Sequence, residues 1–104
     1  MTTLSIDTSG REFVFVSLGI DGKMHTLKEK MDKKKAQAVL PLVDTLLQKH
    51  KLTMKDIQEI QVNVGPGSFT GLRVGVAITN TLGFLLTIPV NGMPVGTFVQ
   101  PVYS

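Results

Sequence analysis

The sequence predicts an α/β domain: a meander of three antiparallel strands, then two further strands alternating with two main helices. Three observations predict it. Up to Lys30, short runs rich in Val, Phe and Thr alternate with polar turns. Two later stretches repeat apolar residues every three or four positions, which is the helical period. Each of those stretches leads into a short apolar run bounded by turn residues.

The elements follow in order. Residues 2–8 read as a strand that ends in the polar turn Ser9-Gly10-Arg11. Residues 12–19 place Phe13 and Phe15 on one face and Val14 and Val16 on the other, the two-residue period of a strand. Asp21-Gly22 is a hairpin signal, and residues 23–30 form the third strand. Over residues 31–51 the apolar positions Ala36, Val39, Leu40, Val43, Leu46 and Leu47 share one helical face. Pro41 lies inside that pattern and either bends the helix or marks its first turn. Thr53 followed by Asp56 is the start signal of a short helix over 54–59. Ile60, Val62 and Val64 alternate with Gln61 and Asn63 in a fourth strand. A second long helix spans residues 70–86, and residues 88–93 make a short fifth strand bounded by Pro89 and Pro94. Residues 95–104 carry no period and read as a loosely ordered tail.

Composition excludes several kinds of protein. A chain of 104 residues holds one core. There is no cysteine, so disulfides, thiolate metal sites and cysteine nucleophiles are absent. The N-terminus has no basic, apolar leader, which points to a cytoplasmic protein. Eleven basic and eight acidic residues give a net charge of +3, but the distribution is uneven. Arg73 is the single charged side chain from residue 60 onward. A half without charge is either core or a surface that meets a partner.

The segment Gly65-Pro66-Gly67-Ser68-Phe69-Thr70-Gly71 joins a strand to a helix. Such a turn is either a tight structural connection or an anion site at a helix N-terminus. It fits neither the P-loop nor the dinucleotide fingerprint. Asp7, at the end of the first strand, reads either as a magnesium-facing carboxylate or as a turn residue. His25 and His50 stand apart without metal-ligand spacing, and no metal site is expected. Lys33-Lys34-Lys35 is either a contact for nucleic acid or, as short charge runs usually are, a solvated helix start. No Ser/His/Asp set and no carboxylate pair suited to acid–base work is visible.

In the second long helix, Gly71, Gly75, Thr79 and Gly83 recur every four residues and form a stripe that admits a close backbone. The rest of that helix is apolar nearly all round, the pattern of burial on more than one side. It is too short and too interrupted by Thr and Asn to cross a membrane. The expected cover is a second protein or a second copy of the chain.

The runs LSIDTS, VLPLVDTLL and VNVGPGSFTGLRVGVA, followed by IPV, resemble the TsaB (YeaZ) family, over residues 4 to about 93. These are bacterial proteins that work in making threonylcarbamoyladenosine in tRNA. The resemblance implies a single actin-like, ribonuclease-H-like lobe with a five-stranded mixed sheet whose last two strands are parallel. It implies a non-catalytic scaffold and activator that dimerises with a TsaD-like catalytic subunit, joined by a TsaE-like ATPase. It implies a subunit with no cofactor of its own, ATP or ADP and magnesium entering in the assembled complex, and tRNA met only through that complex. The implied contact lies on the two helices, placed here at Leu40, Val43 and Leu47 and at Gly71, Leu72, Arg73, Gly75, Val76, Thr79, Leu82 and Gly83.

The sequence departs from the family at several points. Family members commonly carry a His-Ser pair where Lys35-Ala36 stands, a Lys at Asn80, and Gly at Thr81 and Thr87. The family's second, C-terminal lobe has no counterpart in these residues. Two other functions compete with the scaffold role. One is an actin-like half-domain that holds a nucleotide phosphate with Asp7, Thr8, Gly65, Gly67, Ser68 and Thr70. The other is a homodimeric interaction module.

Overall fold

The computed structural model describes residues 1–30, 35–67 and 69–102. Strand β1 is Thr2–Asp7, β2 is Phe13–Ile20 and β3 is Lys23–Lys30. Helix α1 is Lys35–Lys49, a single 3-10 turn is Met54–Asp56, β4 is Glu59–Val62 and α2 is Phe69–Leu86. The strand order is β3-β2-β1-β4. β1, β2 and β3 form the antiparallel meander, and β4 lies parallel to β1 with Leu4 beside Ile60 and Ile6 beside Val62.

Side-chain alternation decides which face of the sheet is covered. Leu4, Ile6, Val14, Val16, Leu18 and Ile60 are buried against Val39, Val43, Leu46 and Leu47 of α1. Ile78 and Leu82 of α2 pack on the same cluster. Both helices therefore lie on one face. The opposite face carries Ser5, Asp7, Phe13, Phe15, Ser17 and Gln61, all half-buried or exposed.

Both helices end the same way. The N–H of Leu52 donates to Leu47 O at 2.9 Å and that of Lys51 to Gln48 O at 3.1 Å, with Lys51 at φ 57°. The N–H of Ile88 donates to Gly83 O at 3.1 Å and that of Thr87 to Phe84 O at 3.4 Å, with Thr87 at φ 56°. These are Schellman closures, which require a left-handed residue just past the helix. Pro41 sits inside α1 on its exposed side, so it is not the first turn. The Thr53 signal starts only the 3-10 turn: the N–H of Thr53 donates to Asp56 Oδ2 at 2.7 Å.

The fifth strand is not formed; the sheet has four strands. Only Val90 bridges Ile60. Pro89 and Pro94 lack N–H donors, and Asn91 and Gly92 turn the chain away at φ 51° and 72°. The outer edge of β4 is closed by other means. The N–H of Ile60 donates to Pro89 O at 3.1 Å, and that of Asn91 to Ile60 O at 2.9 Å. One step on, the Asn91 carboxamide replaces a backbone: Val62 N–H donates to its Oδ1 at 2.8 Å and its Nδ2 donates to Val62 O at 3.1 Å. Val64 O then accepts the N–H of Val102 at 2.6 Å. Val102 belongs to the segment after residue 95, which has no regular structure but returns along α2. The Asn80 side chain holds both backbone groups of Val99 there, each at 3.0 Å.

Candidate functional site

Because β1 and β4 run parallel, their C-terminal ends meet at one end of the sheet, where α2 begins. Asp7 Oδ1 accepts the N–H of Ser9 at 2.9 Å and also the Ser9 hydroxyl, an Asx turn that reverses the chain after β1. Asn63, just past β4, ties the two strand ends together. Its Nδ2 donates to Ser9 Oγ at 3.0 Å and to Asp7 Oδ2 at 3.4 Å, and its Oδ1 accepts the N–H of Gly65 at 2.9 Å. Thr8 is fully buried and donates its hydroxyl to the carbonyl of Gly71 in the first turn of α2.

The glycines of the turn answer to packing. Gly65 has φ +120°, and a Cβ there would strike the carbonyl of Val102 and come within 3.0 Å of Leu72 Cδ1. The Gly65–Pro66 peptide is cis. A Cβ on Gly67 would lie 2.8 Å from Ser9 Cβ and 2.9 Å from Ser9 O. The reading of this segment as a tight connection thus has a steric basis. Asp7, Thr8, Gly65, Gly67 and Thr70 do gather at one end of the lobe, but the Asp7 carboxylate, the Thr8 hydroxyl and the Gly65 N–H already have partners inside it. Thr70 remains exposed, and Ser68 lies outside the described residues. Sequence reasoning missed Ser9 and Asn63. Their signal is the spacing of two residues in Asp7-Thr8-Ser9 and Asn63-Val64-Gly65, the reach of an Asx turn.

The small-residue stripe of α2 turns inward, which corrects the expectation that it admits a second protein. A Cβ on Gly75 would strike Thr8 Oγ1, and one on Gly83 would lie 2.5 Å from Val90 Cγ2. What approaches is the Thr8 side chain, just past β1, and the Val90 side chain with the Ile88 carbonyl in the segment after α2. Thr79 is fully buried, and its hydroxyl finds no hydrogen-bond partner among the described residues. Val43, Leu47, Leu72 and Val76 are core, and Gly71 is buried beside Thr8. Of the predicted contact positions, only Leu40, Arg73 and Leu82 reach the surface. Leu40 and Leu82 line an apolar groove of about 290 Å³ with Ala77, Ile78, Thr81 and Leu85. Leu85 is 68% exposed and the adjacent Phe84 65%. The missed row Ala77, Thr81 and Leu85 has the same four-residue spacing as the glycines, displaced around the helix.

The two histidines do not stand apart. The rings of His25 and His50 are 4.1 Å between centroids, because the end of α1 packs over β3. Among the described residues, no group of three or more His, Cys, Asp or Glu is placed to hold a metal ion. No helix among them is long and apolar enough to cross a membrane.

A lobe with this topology, and with a glycine turn between β4 and α2, has clear counterparts. Residues 26–95 match the family model described as TsaD: tRNA N6-adenosine threonylcarbamoyltransferase. The curated protein from Escherichia coli (strain K12) named tRNA threonylcarbamoyladenosine biosynthesis protein TsaB is 33% identical over 93 residues, covering 89% of this chain and 40% of that protein. The Bacillus subtilis (strain 168) protein of the same name is also 33% identical over 93 residues, covering 89% and 41%. The solved structure of YeaZ from Pseudomonas aeruginosa superposes with a TM-score of 0.81 at 32% identity, covering 89% of this chain and 43% of that one. The chain is a TsaD-related α/β lobe. Within that group it belongs to the TsaB (YeaZ) family, whose members are named for tRNA threonylcarbamoyladenosine biosynthesis. It spans about two fifths of the length of the curated relatives it matches.

Proposed function

We propose that the chain is a non-catalytic subunit in the biosynthesis of threonylcarbamoyladenosine in tRNA, and that it docks on a TsaD-like catalytic subunit through the outer face of its helices. The observation that carries this reading is the groove between α1 and α2, lined by Leu40, Ile78, Leu82 and Leu85 and continued by the exposed Phe84. Apolar side chains this exposed on adjacent helices gain free energy when a partner removes them from water, about 25 cal/mol per Å² buried. The chain brings no cofactor of its own; ATP and magnesium enter with the assembled complex, where a TsaE-like ATPase also joins.

The test is co-purification of the chain with a TsaD-like subunit, and restoration of threonylcarbamoyladenosine in cells that lack their TsaB. Leu85→Arg places a charge in the groove without touching the core, and it should abolish both while leaving the melting temperature unchanged. Undiminished association with Leu85→Arg overturns the docking face. A chain that forms only homodimers by light scattering, and never captures the partner, points instead to the self-associating module.

A further inference from the structure

Among the described residues no element covers the sheet face opposite the helices, and its side chains are not those of a neutral surface. Phe13 and Phe15, two residues apart on β2, project from it together, their ring centroids 6.2 Å apart. Register places Lys30 beside Phe13 and Lys28 beside Phe15 on β3. Cross-strand partners share a face, and Lys28 Nζ indeed lies 4.6 Å from the centre of the Phe13 ring. Next to Phe15 the sheet forms a groove of about 210 Å³ lined by Ser5, Ile6, Asp7, Ser17, Gln61 and Asn63. Phe15 is 38% exposed and forms one wall.

The chemistry across this face is graded. Cations stand at the β3 side, an exposed aromatic ring on β2, and amides, hydroxyls and carboxylates over β1 and β4. The carboxylates are Asp7, held by Ser9 and Asn63, and Glu59, which accepts Gln61 Nε2 at 3.1 Å. A ligand that fits has an anionic backbone, a flat π-face and an edge of hydrogen-bonding groups, in that order across its width. We infer that this face binds a single-stranded segment of RNA, with phosphates at Lys28 and Lys30, a base stacked on Phe15, and the edge of that base toward Gln61 and Asn63. Exposed sheets that present aromatics and cations bind single strands in this way, because unstacked bases exchange water for a ring face. A duplex hides its base faces and would gain only the two lysine contacts. The inference does not depend on the helix-face reading, since the two surfaces lie on opposite sides of the sheet.

The test uses the full chain and a fluorescently labelled single-stranded oligouridylate in dilute salt, followed by anisotropy. Binding is expected, with a log–log salt slope of about −1.4 for two phosphate contacts on a single strand. Phe15→Leu keeps the apolar bulk but removes the ring, and it should weaken binding about five-fold or more. Lys28→Ala should weaken it and flatten the salt slope, with thermal unfolding unchanged in both variants. Leu85→Arg should bind the oligonucleotide as the parent chain does. The inference is overturned if no binding is detected, if duplex RNA binds as tightly as the single strand, or if the lysine variant matters while Phe15→Leu does not.

Discussion

Thr87 shows what a single backbone angle demands. It closes α2 at φ 56°, a conformation that costs a non-glycine residue about 1–2 kcal/mol, and a β-branched one more than most. Glycine takes this backbone region at no steric cost. Thr87 is exposed, so Thr87→Gly removes the strain without opening a cavity. It should stabilise the protein by about 1 kcal/mol in urea unfolding. An unchanged midpoint would mean that the hydroxyl or the methyl makes a compensating contact. At Gly75 and Gly83 the demand is the opposite: open backbone angles but no room for a Cβ beside Thr8 and Val90. Asn91 serves a third purpose, since its carboxamide carries the edge of the sheet one step past the last backbone pair.

α1 has two faces of different worth. Val39, Val43, Leu46 and Leu47 are no more than 2% exposed, whereas Leu40 is 44% exposed at the mouth of the groove. Leu46→Ala leaves a cavity in the core and should cost about 2–5 kcal/mol. Leu40→Ala should change stability by no more than about 0.5 kcal/mol, as surface substitutions do, while weakening association with a TsaD-like subunit. Thermal denaturation of the two variants side by side checks the first contrast, and co-purification the second. α2 is divided in the same way, between the buried row Gly71, Gly75, Thr79 and Gly83 and the outer row Ala77, Thr81 and Leu85. Both rows recur every four residues, so period alone assigns neither to the interior.

As a whole the molecule is one lobe with two different faces. The helical face carries an apolar groove; the sheet face is polar, aromatic and basic at one side. Between them, at the strand ends, Asp7 and Thr8 are held within the chain's own turns. The family resemblance implies a nucleotide site between two lobes, of which the residues of this chain would present one wall. Isothermal titration of the chain alone with magnesium-ATP is therefore expected to give no binding heat. Saturable heat at millimolar ligand would restore the half-domain reading, with Thr70 and the start of α2 as the phosphate site.

Much of this was legible in the residues. The alternation of Phe13 to Val16 placed β2 and its two faces, and Asp21-Gly22 placed the hairpin. The three-and-four spacing located both helices, and the GPGSFTGLR run pointed to the family before any coordinates. These features are local, and each is fixed by residues within a turn or two of one another. The tertiary structure alone decided the rest. It replaced the expected fifth strand by a single bridge and an asparagine side chain, it turned the glycine stripe inward, and it brought His25 to His50 and Asn63 to Asp7. Those outcomes depend on which distant segment packs against a given surface. A small residue says that something comes close, and only the packed chain says what.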